Sequence, residues 1–299
     1  MNLEPFINRF ICGDNLSVLE NFPDDSIDLI FTSPPYTDQR NYGVDGSSIS
    51  PEEYVDWFIE RSKEFKRILK PTGNFVLNIS DKVQNGTQNT YVFEIVLRLS
   101  KEVGFNFVRD YIWYNPSSPP NSFSKGTLGR TKKSHEYCFW FSKTDCWKFN
   151  MDPIRKPYSK DMLKYLKGKG KGNRGENTRP STYSFDCEKE WKNYGGSDPG
   201  SVITLGNTSS NDNFIKMCRE IGLSHPARFP IKLAEFFILS GSDPGDVVLD
   251  PFSGSGTCAV AAERNDRRWI GIDLNQQYCN LSKKRMAMEF PEKYADEYL

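Results

Sequence analysis

Two short stretches hold residue types whose spacing could do chemistry: TSPPY at 32–36 and DPFSGSGT at 250–257. In the first, Leu29, Ile30 and Phe31 read as a buried strand. Pro34 and Pro35 must end that strand, because proline has no N–H for a sheet ladder. Pro34 keeps its carbonyl as a fixed acceptor, Ser33 adds a second acceptor, and Tyr36 adds a flat face. Two acceptors around one amino group, beside an aromatic platform, describe a pocket for a nucleobase bearing an exocyclic amine. The same residues equally suit a proline-terminated strand with Tyr36 packed in the core.

The second stretch, VVLDPFSGSGTCAVAA, reads as strand, turn and helix, with Gly254, Gly256 and Ala259 spaced as G-x-G-x-x-[GA]. Glycines let the backbone turn tightly and approach a ligand closely. The next strand ends in Asp273, 17 residues past Gly256, where a carboxylate can accept from both hydroxyls of a ribose. The pattern points to a nucleoside-containing cofactor; a tight strand-to-helix turn is the plainer alternative. Asp250 and Pro251 ahead of the glycines are unusual for a dinucleotide turn and weaken the case for a pyrophosphate. Cys258 reads as a small buried side chain on the helix.

The elements around these turns alternate. Residues 27–31 and 75–79 read as strands, and 50–69 as a helix opened by Ser50, Pro51 and Glu53 as a capping box. A helix ending at Gly104 and a strand over 107–114 follow. After residue 225 the helix FPIKLAEFFILSGS, the strand DVVLD and the strand RWIGIDL resume the alternation. Strands alternating with helices predict a mostly parallel α/β sheet. Between them the chain is rich in Pro, Gly, Ser, Asn and Lys, with EYCFWF (136–141) as a short apolar run. The expected organisation is a catalytic half over 1–115, a loop-rich basic region over 116–215 and a cofactor-binding half over 216–299.

Composition narrows the function classes. Lys plus Arg and Asp plus Glu both number 39, so no global field marks a polyanionic partner, yet residues 155–179 carry nine Lys or Arg against two acids. Seven singly scattered cysteines suit reduced thiols, and two histidines, His135 and His225, leave little room for a zinc site or a His-based triad. The first residues lack a basic-then-apolar signal pattern and no 18-residue apolar run occurs, which predicts a soluble intracellular protein without metal.

Together, TSPPY and DPFSGSGT resemble the amino-group DNA methyltransferases that use S-adenosylmethionine, in the motif order of the family's beta group. GDNLSVLENFPDDSIDLIFTSPPY is similar to the family's opening, LKPTGNFVLNI to its next step, and SHEYCFWFSK and HPARFPIKLAEFFI to later blocks. The resemblance implies a Rossmann-like class I methyltransferase fold: a circularly permuted, doubly wound, mostly parallel sheet with a loop-rich target-recognition insertion. The stretch 145–215 matches no block of the family.

By the same resemblance, Ser33, Pro34, Pro35 and Tyr36 would hold a flipped base. Asp14, Thr32, Phe229, Asp250, Phe252, Gly254, Gly256 and Thr257 would line S-adenosylmethionine, with Asp14 toward its adenine amine and Asp273 on its ribose. His225 and the His135-Glu136 pair read as structural. Adenine-N6 enzymes of this kind mostly carry Asp or Asn before Pro-Pro-Tyr, so Ser33 favours cytosine N4, with adenine N6 as the alternative. Lys164, Lys167, Lys169, Lys171 and Arg174 would track phosphates of double-stranded DNA, against the alternative of a solvated loop. A companion restriction endonuclease fits the resemblance, and no membrane is implied. Two rival readings are a nicotinamide-dependent oxidoreductase, which leaves Ser-Pro-Pro-Tyr without a role, and a non-catalytic DNA-binding module.

Overall fold

A computed structural model describes residues 2–36, 50–84, 87–118, 131–167, 192–207, 213–220 and 228–298. Two compact units form, Met1–Phe149 with Ser201–Leu299, and Asn150–Gly200. In the first, the chain runs β1 (Arg9–Cys12), α1 (Asn15–Leu19), β2 (Ile27–Thr32), α2 (Pro51–Ile68) and β3 (Leu69–Ile79). The two-residue strands β4 (Val83–Gln84) and β5 (Thr87–Gln88), then α3 (Tyr91–Arg98), β6 (Asn106–Tyr114) and β7 (His135–Ser142) follow. The second unit contributes α4 (Lys160–Leu166). The first resumes with β8 (Val202–Thr204), α5 (Asn213–Glu220), α6 (Ile231–Gly241), β9 (Val247–Asp250) and α7 (Thr257–Arg264). It closes with β10 (Arg268–Asp273), α8 (Gln276–Glu289) and α9 (Pro291–Tyr298).

One eight-stranded sheet has the order β1-β10-β9-β2-β3-β7-β6-β8. Every pairing is parallel except those of β7 with β3 and β6, so β7 alone runs against the rest. The mostly parallel sheet expected from the alternation is therefore present, with one reversed strand. The short apolar run 136–141 lies inside β7, an interior strand between β3 and β6.

Local sequence explains most boundaries. In α2 the Ser50 hydroxyl accepts from Glu53 N and the Glu53 carboxylate accepts from Ser50 N, with Pro51 at the first helical position, as the capping box requires. All six residues of β2 are buried, as for a parallel strand covered on both faces. Its one charge, Asp28, accepts from Lys70 Nζ (2.8 Å) and from the backbone N of Val247 (2.9 Å). Strand β3 begins earlier than its apolar run implies. Its register against β2 slips between Ile27 and Leu29, and the slack takes up Pro71 and Gly73, since a proline within a sheet belongs at an irregularity. Helix α3 passes into a wider turn, Leu99–Val103, closed by Gly104 at φ 81°.

The sheet winds in two directions from its middle. From β9 the chain passes through α7 to β10 on one side, and from β2 through α2 to β3 on the other. The switch point is the β9–β2 seam, paired at Leu29↔Val248 and Ile30↔Leu249. Open α/β sheets bind ligands at the carboxyl ends of strands at such a seam.

In the second unit, among the described residues, Lys156 bridges to Ser197, and Arg155 pairs with Asp152 and Asp198 and lies over the Tyr194 ring at 5.0 Å. Among the described residues no helix is long and apolar enough to cross a membrane.

The turn after β9 sits directly on β10 because Gly271 has no side chain: a Cβ there would lie 2.6 Å from Ser253 Oγ and 2.7 Å from Phe10 Cδ1. Gly271→Ala is therefore expected to lower stability by about 1–3 kcal/mol through overpacking, read as the shift in urea midpoint. An unchanged midpoint contradicts this packing.

Candidate functional site

The two turns singled out in the sequence meet at the seam. Thr32 Oγ1 donates to Asp250 Oδ1 at 2.6 Å, joining residues 218 positions apart, and Asn15 Nδ2 donates to the carbonyl of Pro251 at 3.0 Å. Asn15 Oδ1, also buried, has no partner among the described residues.

Around the first turn, Ser33 and Pro35 are half-buried and Pro34 is buried. Tyr36 is only 7% exposed and packs into the core. Its hydroxyl donates to Glu136 Oε2 at 2.7 Å and lies 3.2 Å from Ser33 Oγ and 3.5 Å from Asn78 Oδ1. Burial first, then the Glu136 charge, pushes the Tyr36 phenol well above its ordinary value, so it stays protonated. Nearby, Lys133 donates to Ser80 Oγ (2.5 Å) and pairs with Asp81; burial lowers its ammonium to about 8. His135 is lowered by burial and by Lys133.

Around the second turn, Asp250 is buried and also accepts from Phe252 N at 3.1 Å. Desolvation pushes Asp250 up to about 7 against those two donors, with Asp273 adding to the rise. Asp273 Oδ2 accepts from Gly254 N (2.7 Å) and Oδ1 from Asn275 N (2.8 Å), while burial raises its pKa. Gly254 and Gly256 adopt φ of 51° and 71°, which only glycine takes readily. Ser253 N goes to Ile272 O and Gly256 N to Ser253 O. Four N–H groups of this turn, at residues 252, 253, 254 and 256, are thus spent within the fold, which argues against a pyrophosphate and with it the oxidoreductase reading.

The remaining predicted residues take more structural places. Asp14 caps α1 through Ser17 N (3.4 Å) and pairs with Arg61 Nη2 at 2.8 Å. Arg61 in turn covers the Trp57 ring, whose centroid is 5.5 Å from that of Phe252. Thr257 is buried with its Oγ1 accepting from Arg285. The Phe229 ring meets Phe31 edge-on at 5.1 Å. Cys258 is buried, and burial raises its thiol. In the second unit Lys164 and Lys167 are exposed, Lys164 near Asp161 at 3.4 Å. Lys169, Lys171, Arg174 and His225 lie outside the described residues. Among the described residues no group of three or more His, Cys, Asp or Glu could hold a metal ion.

Sequence reasoning named Glu136 only as structural, without its link to Tyr36, and missed Asn78, which reaches the first turn from β3, and Arg61, which holds Asp14 from α2. A pairing across 100 positions leaves no spacing signal.

Residues 27–284 match the DNA methylase family N6_N4_Mtase. The chain is 38% identical over 282 residues to the type II methyltransferase M.PvuII of Proteus hauseri, covering 91% of this chain and 82% of that protein. It is similar to the solved structure of PvuII DNA methyltransferase (cytosine-N4-specific), with a TM-score of 0.71, 31% identity and coverage of 97% and 90%. A candidate DNA modification methylase of Thermus thermophilus, solved in complex with S-adenosyl-L-methionine, is 25% identical with a TM-score of 0.59, covering 95% and 96%.

The buried Asp250 has a measurable consequence. Its folded pKa of about 7 exceeds the ordinary 3.8, so between these values the folded state keeps a proton the unfolded chain has lost. Stability of the ligand-free protein therefore falls as pH rises through that window, by up to about 1.4 kcal/mol per unit, and this contribution levels off above it. In Asp250→Asn the slope between pH 5 and 7 is expected to be shallower in urea titrations; equal slopes refute the raised pKa.

Proposed function

This chain belongs to the N6/N4 DNA methylase family, matched over residues 27–284, and on that footing we propose that it methylates the N4 amine of cytosine in duplex DNA from S-adenosylmethionine. The observation that carries the reading is the 2.6 Å bond from Thr32 to Asp250, which holds the Ser-Pro-Pro-Tyr turn beside the Gly-rich turn. The relative named cytosine-N4-specific supports the choice of base, and Ser33 agrees with it.

The residues fit the cofactor. Asp14, Asp250 and Asp273 stand at or just beyond the carboxyl ends of β1, β9 and β10, three adjacent strands, and suit a sulfonium cation and a ribose. S-adenosylmethionine, when bound, supplies an electrophilic methyl group. Asp273 would hold its ribose, and Phe252, Gly254 and Gly256 would line the pocket. A nucleobase amine is a poor nucleophile because its lone pair is delocalised into the ring. Ser33 Oγ and the Pro34 carbonyl accept hydrogen bonds from its two N–H groups, favouring a tetrahedral nitrogen with its lone pair aimed along the transfer line. The base reaches this turn by leaving the duplex stack. Because Tyr36 is only 7% exposed, stacking against it requires local opening. Relatives called type II methyltransferases support action in a restriction-modification system, with an endonuclease of the same specificity as companion and the prokaryotic chromosome, in the cytoplasm, as workplace.

Genomic DNA from a methylation-free host, treated with the protein and S-adenosylmethionine and digested to nucleosides, is expected to yield N4-methylcytosine by mass spectrometry. N6-methyladenine as the sole product overturns the choice of base.

The basic stretch 155–179 serves as the phosphate contact in this reading. Replacing Lys164, Lys167, Lys169 and Lys171 by Gln should weaken duplex binding and flatten its salt dependence. The log–log slope should fall by up to about 0.9 for each phosphate no longer neutralised. Cofactor affinity stays unchanged; an unaltered salt slope removes these lysines from the interface.

A further inference from the structure

The bond between Tyr36 and Glu136 has a consequence for the amine-binding serine. A phenol has one proton to donate, and a hydroxyl such as that of Ser33 has one proton and two lone pairs. Among the described residues, three oxygens compete for the Tyr36 proton: Glu136 Oε2 at 2.7 Å, Ser33 Oγ at 3.2 Å and Asn78 Oδ1 at 3.5 Å. A carboxylate at the shortest distance forms the strongest of these bonds, so the proton points to Glu136. The Ser33–Tyr36 contact then has one consistent direction, with Ser33 donating and Tyr36 Oη accepting. With its proton committed, Ser33 Oγ presents only lone pairs to whatever enters the turn. Without the Glu136 charge the pull on the Tyr36 proton weakens, and the Ser33 hydrogen can turn to face the incoming amine, a donor against a donor.

We propose that Glu136 is a positioning residue that acts through Tyr36 to make Ser33 an obligate hydrogen-bond acceptor for the substrate amine. This rests on the methyltransferase reading above. It assigns work to a β7 side chain that joins the turn only in the folded protein, 100 positions along the chain from Tyr36.

The test is a double-mutant cycle of Glu136→Gln and Tyr36→Phe, with single-turnover methyl transfer to duplex DNA, S-adenosylmethionine affinity and Tm measured for each protein. Glu136→Gln keeps the shape and removes the charge. It is expected to slow transfer about tenfold to a hundredfold while cofactor affinity and Tm hold. In the Tyr36→Phe background the same change should alter the rate by less than about twofold, because the intermediary is gone. Equal losses in both backgrounds, or an unchanged rate in Glu136→Gln, overturn the proposal. If Glu136→Gln fails to fold, Tyr36→Phe decides alone, since a wild-type rate in that variant removes the relay.

A readout independent of turnover separates this proposal from the reading beneath it. The NMR signal of Tyr36 Cζ, labelled with carbon-13 and assigned by its loss in Tyr36→Phe, should move in Glu136→Gln and in Ser33→Ala. A signal unmoved by Glu136→Gln refutes the pairing whatever the enzyme does. Absence of methyl transfer by the wild-type protein, with the signal moving as expected, overturns the methyltransferase reading instead.

Discussion

The geometry of the site depends on one seam. Strands β2 and β9 lie side by side although their residues are more than two hundred positions apart, and the bond from Thr32 to Asp250 closes the seam at its carboxyl end. Lower in the same seam, Asp28 accepts from the backbone of Val247 while paired with Lys70. These contacts set how far β2 extends beside β9, and so where each turn begins. Removing the carboxylate of Asp250 or of Asp28 leaves a buried donor unsatisfied, the Thr32 hydroxyl or the Val247 N–H, a cost of about 1–3 kcal/mol.

The same seam explains how the Ser-Pro-Pro-Tyr turn near the start of the chain and the Gly-rich turn near its end come together. β1 pairs with β10, and β2 with β9, so N-terminal and C-terminal strands share one sheet. The half-sites interlock through side chains as well: Asn15 from α1 holds the Pro251 carbonyl, and Asp273 from β10 holds the Gly254 N–H. Desolvation makes this crevice electrostatically responsive. Asp250 is pushed up to about 7 and Asp273 is raised, so both favour a nearby cation. Each bond made by Thr32 and Phe252 to Asp250 works against its protonation.

Much of this was legible beforehand because it depends on neighbours in the chain. A proline pair ends a strand wherever it occurs, glycines at positive φ permit one kind of turn, and the Ser50–Glu53 box starts a helix within four residues. Hence both turns, the α/β alternation and the capped helix were readable. EYCFWF was not readable as an interior strand, since a six-residue apolar run carries no information about its partners. Nor was the Pro71 irregularity in β3, which exists only as slack against β2. Asp14 illustrates the limit: the family resemblance alone set it toward the cofactor's adenine amine, while its bond to Arg61 needed helix α2 packed against it.

By itself, then, the sequence determined which chemical groups exist and the local shape of each turn: two acceptors at Ser33 and Pro34, and a glycine turn followed by Asp273. The tertiary structure alone decided what those groups face. Tyr36 became a buried, anchored phenol because β3 and β7 bring Asn78 and Glu136 to it, and Asp250 acquired its high pKa because burial strips its water. Backbone preferences act over a few residues and can be read in order. Desolvation and hydrogen bonding act between strands paired by the fold, and no order of residues states those pairs in advance.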